Sequence, residues 1–232
     1  MPVRAIALTA VLGATIGAFA TNPSEAQDVP RVAVLDFSSF MMGEGGASVN
    51  LGKAIAAMLV TEFSDRDGIQ VLERQRLNAL LDEQDLCASG RTTDCNRDDT
   101  AIEIGRLLGV HYVLLGQVTS IADNLRMDIR AVDVETSEIV MVQKKSDRTT
   151  ELFAVVVDLA DEFGSRLDLV PPSQRPEIET IPVRATIEFS RALDFEDRGE
   201  VEQAIAHYEA ALEIHPGHRD AMRALERLRG TQ

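Results

Sequence analysis

Met58 to Gln84 reads MLVTEFSDRDGIQVLERQRLNALLDEQ, and the spacing of its apolar residues changes twice within that span. Met58, Leu59 and Phe63 continue the three-and-four spacing set by Leu51 and Ile55, which predicts the end of an amphipathic helix. Asp65 to Gly68 supplies turn residues, and Ile69 to Leu72 is a short apolar strand. Glu73 and Arg74 then open a second helix whose stripe is Leu77, Leu80 and Leu81. Two helices with one apolar side each, joined through a strand, need a sheet to bury against. The fold class expected is therefore α/β, a mixed sheet flanked by helices.

The flanking sequence extends this pattern in both directions. Upstream, Arg31 to Phe37 (RVAVLDF) is a β-branched run suited to a buried strand, and Ser38 to Gly46 reads as a loop. Gly43, Gly45 and Gly46 sit where a phosphate-binding loop would lie. GEGGASVNLGKA fits neither GxxxxGK[ST] nor GxGxxG, because Lys53 is followed by Ala54. A plain connection into a helix capped by Ser48 or Asn50 is the better reading. Downstream, Thr100 with Glu103 makes a capping box for a helix with stripe Ala101, Ile104 and Leu108, ending at Gly109. Val113 to Val118 is an apolar strand in which Gly116 marks a close backbone approach or a bulge. Leu125, Met127, Ile129 and Ala131 alternate with Arg126, Asp128 and Arg130, the period of a strand with one wet face. With a turn at Glu135 to Ser137 and a strand from Ile139 to Val142, an antiparallel meander is expected. Thr150 to Leu167 closes the unit as a helix with Phe153, Val157, Ala160 and Phe163 on one side.

Five segments in this order, VAVLDF (32–37), LGKAIAAMLVTEF (51–63), VLERQRLNALLDEQ (71–84), GRLLGVHYVLLGQV (105–118) and DVETSEIV (133–140), resemble the CsgG family. These are the curli production assembly and transport proteins, and the TolB amino-terminal domain is similar. The resemblance covers about residues 31 to 167. It implies a non-enzymatic envelope protein that works through protein contacts in assembly or export of surface material. Pore-forming members carry extra membrane-crossing hairpins. Here Val118-Thr119-Ser120 runs almost directly into Asn124-Leu125, and Ser146-Asp147 into the last helix, so a soluble accessory protein is expected.

The ends of the chain have a different composition. Arg4 followed by the apolar, small-residue stretch Ala5 to Ala20 and two A-x-A-like sites, Ala18-Phe19-Ala20 and Ser24-Glu25-Ala26, predicts a cleaved signal peptide over residues 1–26. No cysteine lies near those sites, so an unlipidated periplasmic protein is expected. The α/β domain would span 30–168. Val170 to Pro176 and Pro182 form a proline-rich linker, taken as 169–183. In 184–230, Ala192, Phe195, Gly199, Ala204, Tyr208, Ala211 and Pro216 fall at the spacing of a single tetratricopeptide-like repeat, with Arg219 to Arg229 as a capping helix. Glu188 and Arg191 depart from that pattern, standing where large apolar residues are usual. One repeat rarely buries enough surface alone, so it should lean on the main domain or on another chain.

The net charge is −15, and Arg4 and Glu25 cancel, so leader removal leaves it unchanged. A chain this acidic repels phosphate backbones, which excludes nucleic acid as an expected partner. Cys87 and Cys95 bracket CASGRTTDC, and in an oxidising compartment such a pair favours a disulfide. Closing that loop contributes about 2 to 3 kcal/mol in the chain-entropy model. Two free thiols are the alternative; a zinc site lacks CxxC and nearby histidine. No catalytic constellation, cofactor site or metal site is expected. His111 reads as structural, and His215 and His218, flanking Pro216-Gly217, as solvated turn residues. Asp98 and Asp99 suit a helix amino terminus. Glu73 and Arg74, at a strand-to-helix junction, together with Phe195 and Tyr208, are candidate subunit or partner contacts. Protein partners of the envelope are expected, with peripheral outer-membrane association and a homo-oligomer left open. The alternative function is a periplasmic small-molecule or nucleotide-binding domain.

Overall fold

Leu125, Met127, Ile129 and Ala131 lie buried along one face of a central mixed sheet, as their two-residue period requires. The computed structural model describes residues 29–42, 51–72, 77–78, 98–121, 124–148, 151–169, 171–172 and 180–230. Its strands are β1 (Arg31–Val34), β2 (Ser38–Met42), β3 (Gln70–Val71), β4 (Tyr112–Ile121), β5 (Asn124–Asp133) and β6 (Ile139–Arg148). Its helices are α1 (Leu51–Ser64), α2 (Asp98–Leu108), α3 (Leu152–Arg166), α4 (Val183–Asp197), α5 (Val201–Ile214) and α6 (Arg219–Gly230). The strand order is β3-β1-β4-β5-β6, with β2 pairing β4 beyond the end of β1. β1 is parallel to β3 and β4, whereas β4, β5 and β6 form the expected antiparallel meander.

The two faces of the sheet are covered unequally. On one, Val32, Val34, Leu114, Val118 and Met141 pack against α1 and α3 through Ile55, Leu59, Val156 and Phe163. On the other, Ala33, Leu35, Val113, Leu115, Val132 and Val134 form a smaller core with Leu77 and, from α2, Ala101 and Ile104. Helix α1 is buried almost all round, from Leu51, Ile55 and Phe63 to Ala56 and Met58. A helix apolar on every side has to be sandwiched. Its second side meets α4 and α6, so Ala185, Phe189, Ala192, Tyr208 and Leu225 join the same core as the sheet residues. Gly52 makes the approach of α1 possible, since a Cβ there would stand 2.0 Å from the Phe37 carbonyl oxygen.

Ion pairs border the α1 seam. Lys53 Nζ reaches Asp194 at 2.5 Å and Asp197 at 2.7 Å; Arg219 meets Glu62 at 2.5 Å and Arg223 meets Asp65 at 3.1 Å. The carboxyl-terminal helices thus lean on the main domain. Within them, α4 turns into α5 at Arg198 to Glu200, where Gly199 takes φ 73°, a left-handed conformation that costs glycine little. Ala192, Ala204 and Ala211 are fully buried, which lets the helices approach closely.

Four expectations are corrected. Ser38 to Met42 is strand β2 and not loop: Ser38 to Met42 pair in parallel with Gln117 to Ile121. Local serine and glycine chemistry signalled a turn, but pairing with β4 overrides it. Helix α2 begins at Asp98, so Thr100 lies inside its first turn and is not its cap. Strand β6 continues through the polar stretch Gln143 to Arg148 because β5 gives it a partner along that whole length. His218 is not a solvated turn residue: it is 0% exposed, stacked 4.8 Å from Phe189. Gly116 is a close approach, a Cβ there lying 2.5 Å from the Asp128 carbonyl oxygen; the bulge is at Ala131/Val132 instead. The leader, Gly43, Gly45, Gly46, Ser48, Asn50, Glu73, Arg74, Leu80, Leu81, Cys87, Cys95 and most of the proline-rich stretch lie outside the described residues.

Candidate functional site

Among the described residues, helix α2 and Leu77 shelter one end of the second sheet face. Beyond it, the outward positions of four strands are open, and the register puts them in rows. Ser38, Gln117, Asp128 and Lys144 line up across β2, β4, β5 and β6; the next row is Phe40, Thr119, Arg126 and Ser146. The apolar members are conspicuous: Phe40 is 55% exposed, Ile121 51%, Val142 55% and Ile139 46%. Isolated exposed hydrophobics are ordinary; here Phe40 and Ile121 stand close together on paired strands, while Val142 and Ile139 lie along β6, all on the face that carries Arg126 and Lys144.

The polar residues between them are ordered. Arg126 donates twice to Asp128, Nε to Oδ2 at 2.8 Å and an Nη to Oδ1 at 2.9 Å. That hydrogen bonding, with smaller contributions from Gln117 and Lys144, holds the Asp128 carboxyl below the usual range despite partial burial. Arg130 pairs with Asp98 at 3.1 Å, tying β5 to the first turn of α2. Between these groups lies a shallow depression of about 370 Å³, floored by Gly116, Ile129 and Gln143. It is open, and its side chains are committed to one another. The arrangement suits contact with another chain better than enclosure of a small molecule.

Among the described residues no group of three or more His, Cys, Asp or Glu is placed to hold a metal, and no helix is long and apolar enough to cross a membrane. His111 ties strands together: its Nδ1 accepts the Arg31 amide at 3.0 Å while its own amide donates to the Arg31 carbonyl at 2.8 Å. Of the residues singled out for partner contact, Tyr208 is placed in the core. It is 0% exposed, and its hydroxyl donates to Glu196 at 2.6 Å, so it locks α4 to α5. Phe195 is half-buried, stacked on His207 at 5.0 Å with the Arg198 guanidinium 4.5 Å above its ring. Glu188 and Arg191 find an ionic solution: Glu188 bridges Arg191 and His207, each at 2.7 Å. The sequence reading gave β5 one wet face; missing from it were the exposed apolar residues Phe40, Ile121 and Val142 that neighbouring strands add to that face. The signal for the wet face was the outward set Arg126, Asp128 and Arg130, opposite the buried alternation.

The family model described as curli production assembly/transport component CsgG matches residues 15–126, ending within β5. No curated protein matches the chain in sequence. Among solved structures, the chain is similar to the LpoB carboxyl-terminal domain from Salmonella enterica, at 16% identity over 52% of this chain and 84% of that one, with a TM-score of 0.41. Lipoprotein GNA1162 from Neisseria meningitidis matches at 14% identity, 58% and 96% coverage and a TM-score of 0.43. A PelC dodecamer from Paraburkholderia phytofirmans matches at 14%, 62% and 89%, with a TM-score of 0.34.

Proposed function

We propose a non-enzymatic role in the cell envelope, exercised through protein contacts in the assembly or export of surface material, a reading supported by the match of residues 15–126 to the CsgG family model. The observation that carries this reading is the uncovered half of the second sheet face, where Phe40, Ile121 and Val142 stand among ordered charges. A surface of that composition binds by excluding water from its apolar members while the charges set orientation. The carboxyl-terminal helices, read as tetratricopeptide-like, act in this scheme as part of the scaffold that backs α1. The periplasm is the compartment that the leader-like residues 1–26 fit.

The test is crosslinking and capture from periplasm with the whole chain and with a Phe40→Glu/Val142→Glu variant. Wild type should retain envelope proteins, and the variant should lose at least three-quarters of that recovery with unchanged circular dichroism. Equal recovery by both would remove the sheet face from the function. Turnover of envelope substrates by the purified chain would overturn the non-enzymatic reading.

A further inference from the structure

Resting on that reading, the partner's chemistry is set by one sheet edge. β6 is the long open edge: ten residues that, among the described residues, pair only with β5. A strand so placed has backbone groups turned away from the sheet and can template another strand. β3, at the opposite edge, has two residues, and β2 carries no charge. β6 ends instead in Gln143-Lys144-Lys145-Ser146-Asp147-Arg148, three cations and one anion in a chain of net charge −15.

Lysines on an edge commonly guard it against pairing with a copy of itself. Two β6 strands side by side would bring lysine near lysine, which disfavours a second copy as the occupant. The same charges attract a strand of opposite sign. We infer that β6 receives an extended, acidic segment of a partner protein as an added antiparallel or parallel strand. The faces of the sheet specify the pattern. On the open face, β6 presents Val142, Lys144 and Arg148, so the incoming strand places an apolar residue beside Val142 and carboxylates beside Lys144 and Arg148. On the other face, Met141 is buried, Gln143 donates to Glu162 of α3, and Lys145 and Asp147 follow at alternate positions with opposite charges. On that side Glu162 opposes an added carboxylate and Lys145 is balanced by Asp147, so the alternate positions of the segment are neutral. Acidic residues at every second position, with threonine or valine between them, meet both requirements.

The probe is a labelled ten-residue peptide alternating glutamate with threonine and valine, set against the same peptide with lysine for glutamate. Anisotropy titrations at low salt should favour the glutamate peptide by about tenfold, as expected for two or three cross-strand charge pairs. Amide exchange in 139–148 should slow on binding. Lys144→Glu/Arg148→Glu should reverse the preference, and Lys144→Gln/Arg148→Gln should level it, the second variant preserving the test if the first folds poorly. Equal affinities for the two peptides, or β6 exchange unchanged by the acidic one, would overturn the inference. So would sedimentation showing that β6 amides are protected in a dimer of the chain. If these fail while wild type still captures envelope proteins, the acidic strand is wrong and the functional reading stands. If no envelope protein is captured, the functional reading itself falls.

Discussion

Replacing His218 should remove a measurable part of the acid sensitivity of this fold. The imidazole is fully buried where the start of α6 meets α1 and α4, and among the described residues neither ring nitrogen has a hydrogen-bond partner. Burial, reinforced by His215, lowers its pKa from 6.5 to about 4. In the unfolded chain it titrates normally, so between these values the unfolded state binds the extra proton. Stability contributed by the neutral ring is therefore fully present above pH 6.5 and is lost progressively as pH falls toward 4. At about 1.4 kcal/mol per unit, the drop by pH 5 is about 2 kcal/mol, and about 3 kcal/mol at the limit.

Asp220 opposes part of this. Its Oδ2 lies 3.9 Å from His218 Nδ1, and burial raises its pKa, partly offset by a hydrogen bond from Thr61. A raised carboxyl favours the folded state as pH falls through that pKa, so the net loss should be somewhat smaller than the histidine figure. Urea unfolding at pH 7.5, 6 and 5 measures it. Wild type should lose about 1 to 2 kcal/mol across that range from this locus, and His218→Phe should lose correspondingly less. Identical pH slopes in the two proteins would refute the assignment. Arg219, Arg223, Glu62 and Asp65 also face this junction, and retaining them in both proteins cancels their contribution.

Two further outcomes follow from the packing of α1. Gly52→Ala should lower stability by about 1 to 2 kcal/mol, because overpacking against the Phe37 carbonyl outweighs the roughly 1 kcal/mol helix-propensity gain, while Gly230→Ala, with open space around it, should be neutral; a stabilised Gly52→Ala in thermal melts would show that the contact relaxes freely. Phe189→Ala should cost about 3 to 5 kcal/mol and shift one cooperative transition seen alike by a probe in the sheet and a probe in α5, since Phe189 packs on Tyr208 and His218 within the shared core; two separated transitions would show that α4 to α6 unfold as an independent unit.

What could be read from the sequence follows from how local the cause is. The stripe Leu51, Ile55, Met58, Leu59 and Phe63 and the alternation Leu125 to Ala131 are set by periodicity alone, and both elements stand where that spacing puts them. The elements misread are those made by distant partners. β2 exists because β4 offers it a parallel ladder past the end of β1, and nothing in Ser38-Ser39 announces that. His218 is buried because α6 folds back onto Phe189, a contact spanning three helices. The buried alternation of β5 and its wet face were both visible, but the exposed apolar residues beside that face come from β2, β4 and β6 through strand pairing.

The departure at Glu188 and Arg191 shows how the two halves of the chain depend on each other. A helix pair that buries charged residues at apolar positions loses part of the contact that would let it stand alone. Here Glu188 is satisfied by Arg191 and His207, while the apolar area is supplied from outside the pair, by α1 against Ala185, Phe189 and Ala192. α1 is in turn apolar on the side that these helices cover, so without them Met58 and its neighbours would be exposed. Each half completes the other, and that fixes what the open sheet face can do. With α1 clamped between the sheet and α4, the middle of the first face is occupied, and the proposed contact with a partner rests on β6 and the outward residues of β2, β4 and β5.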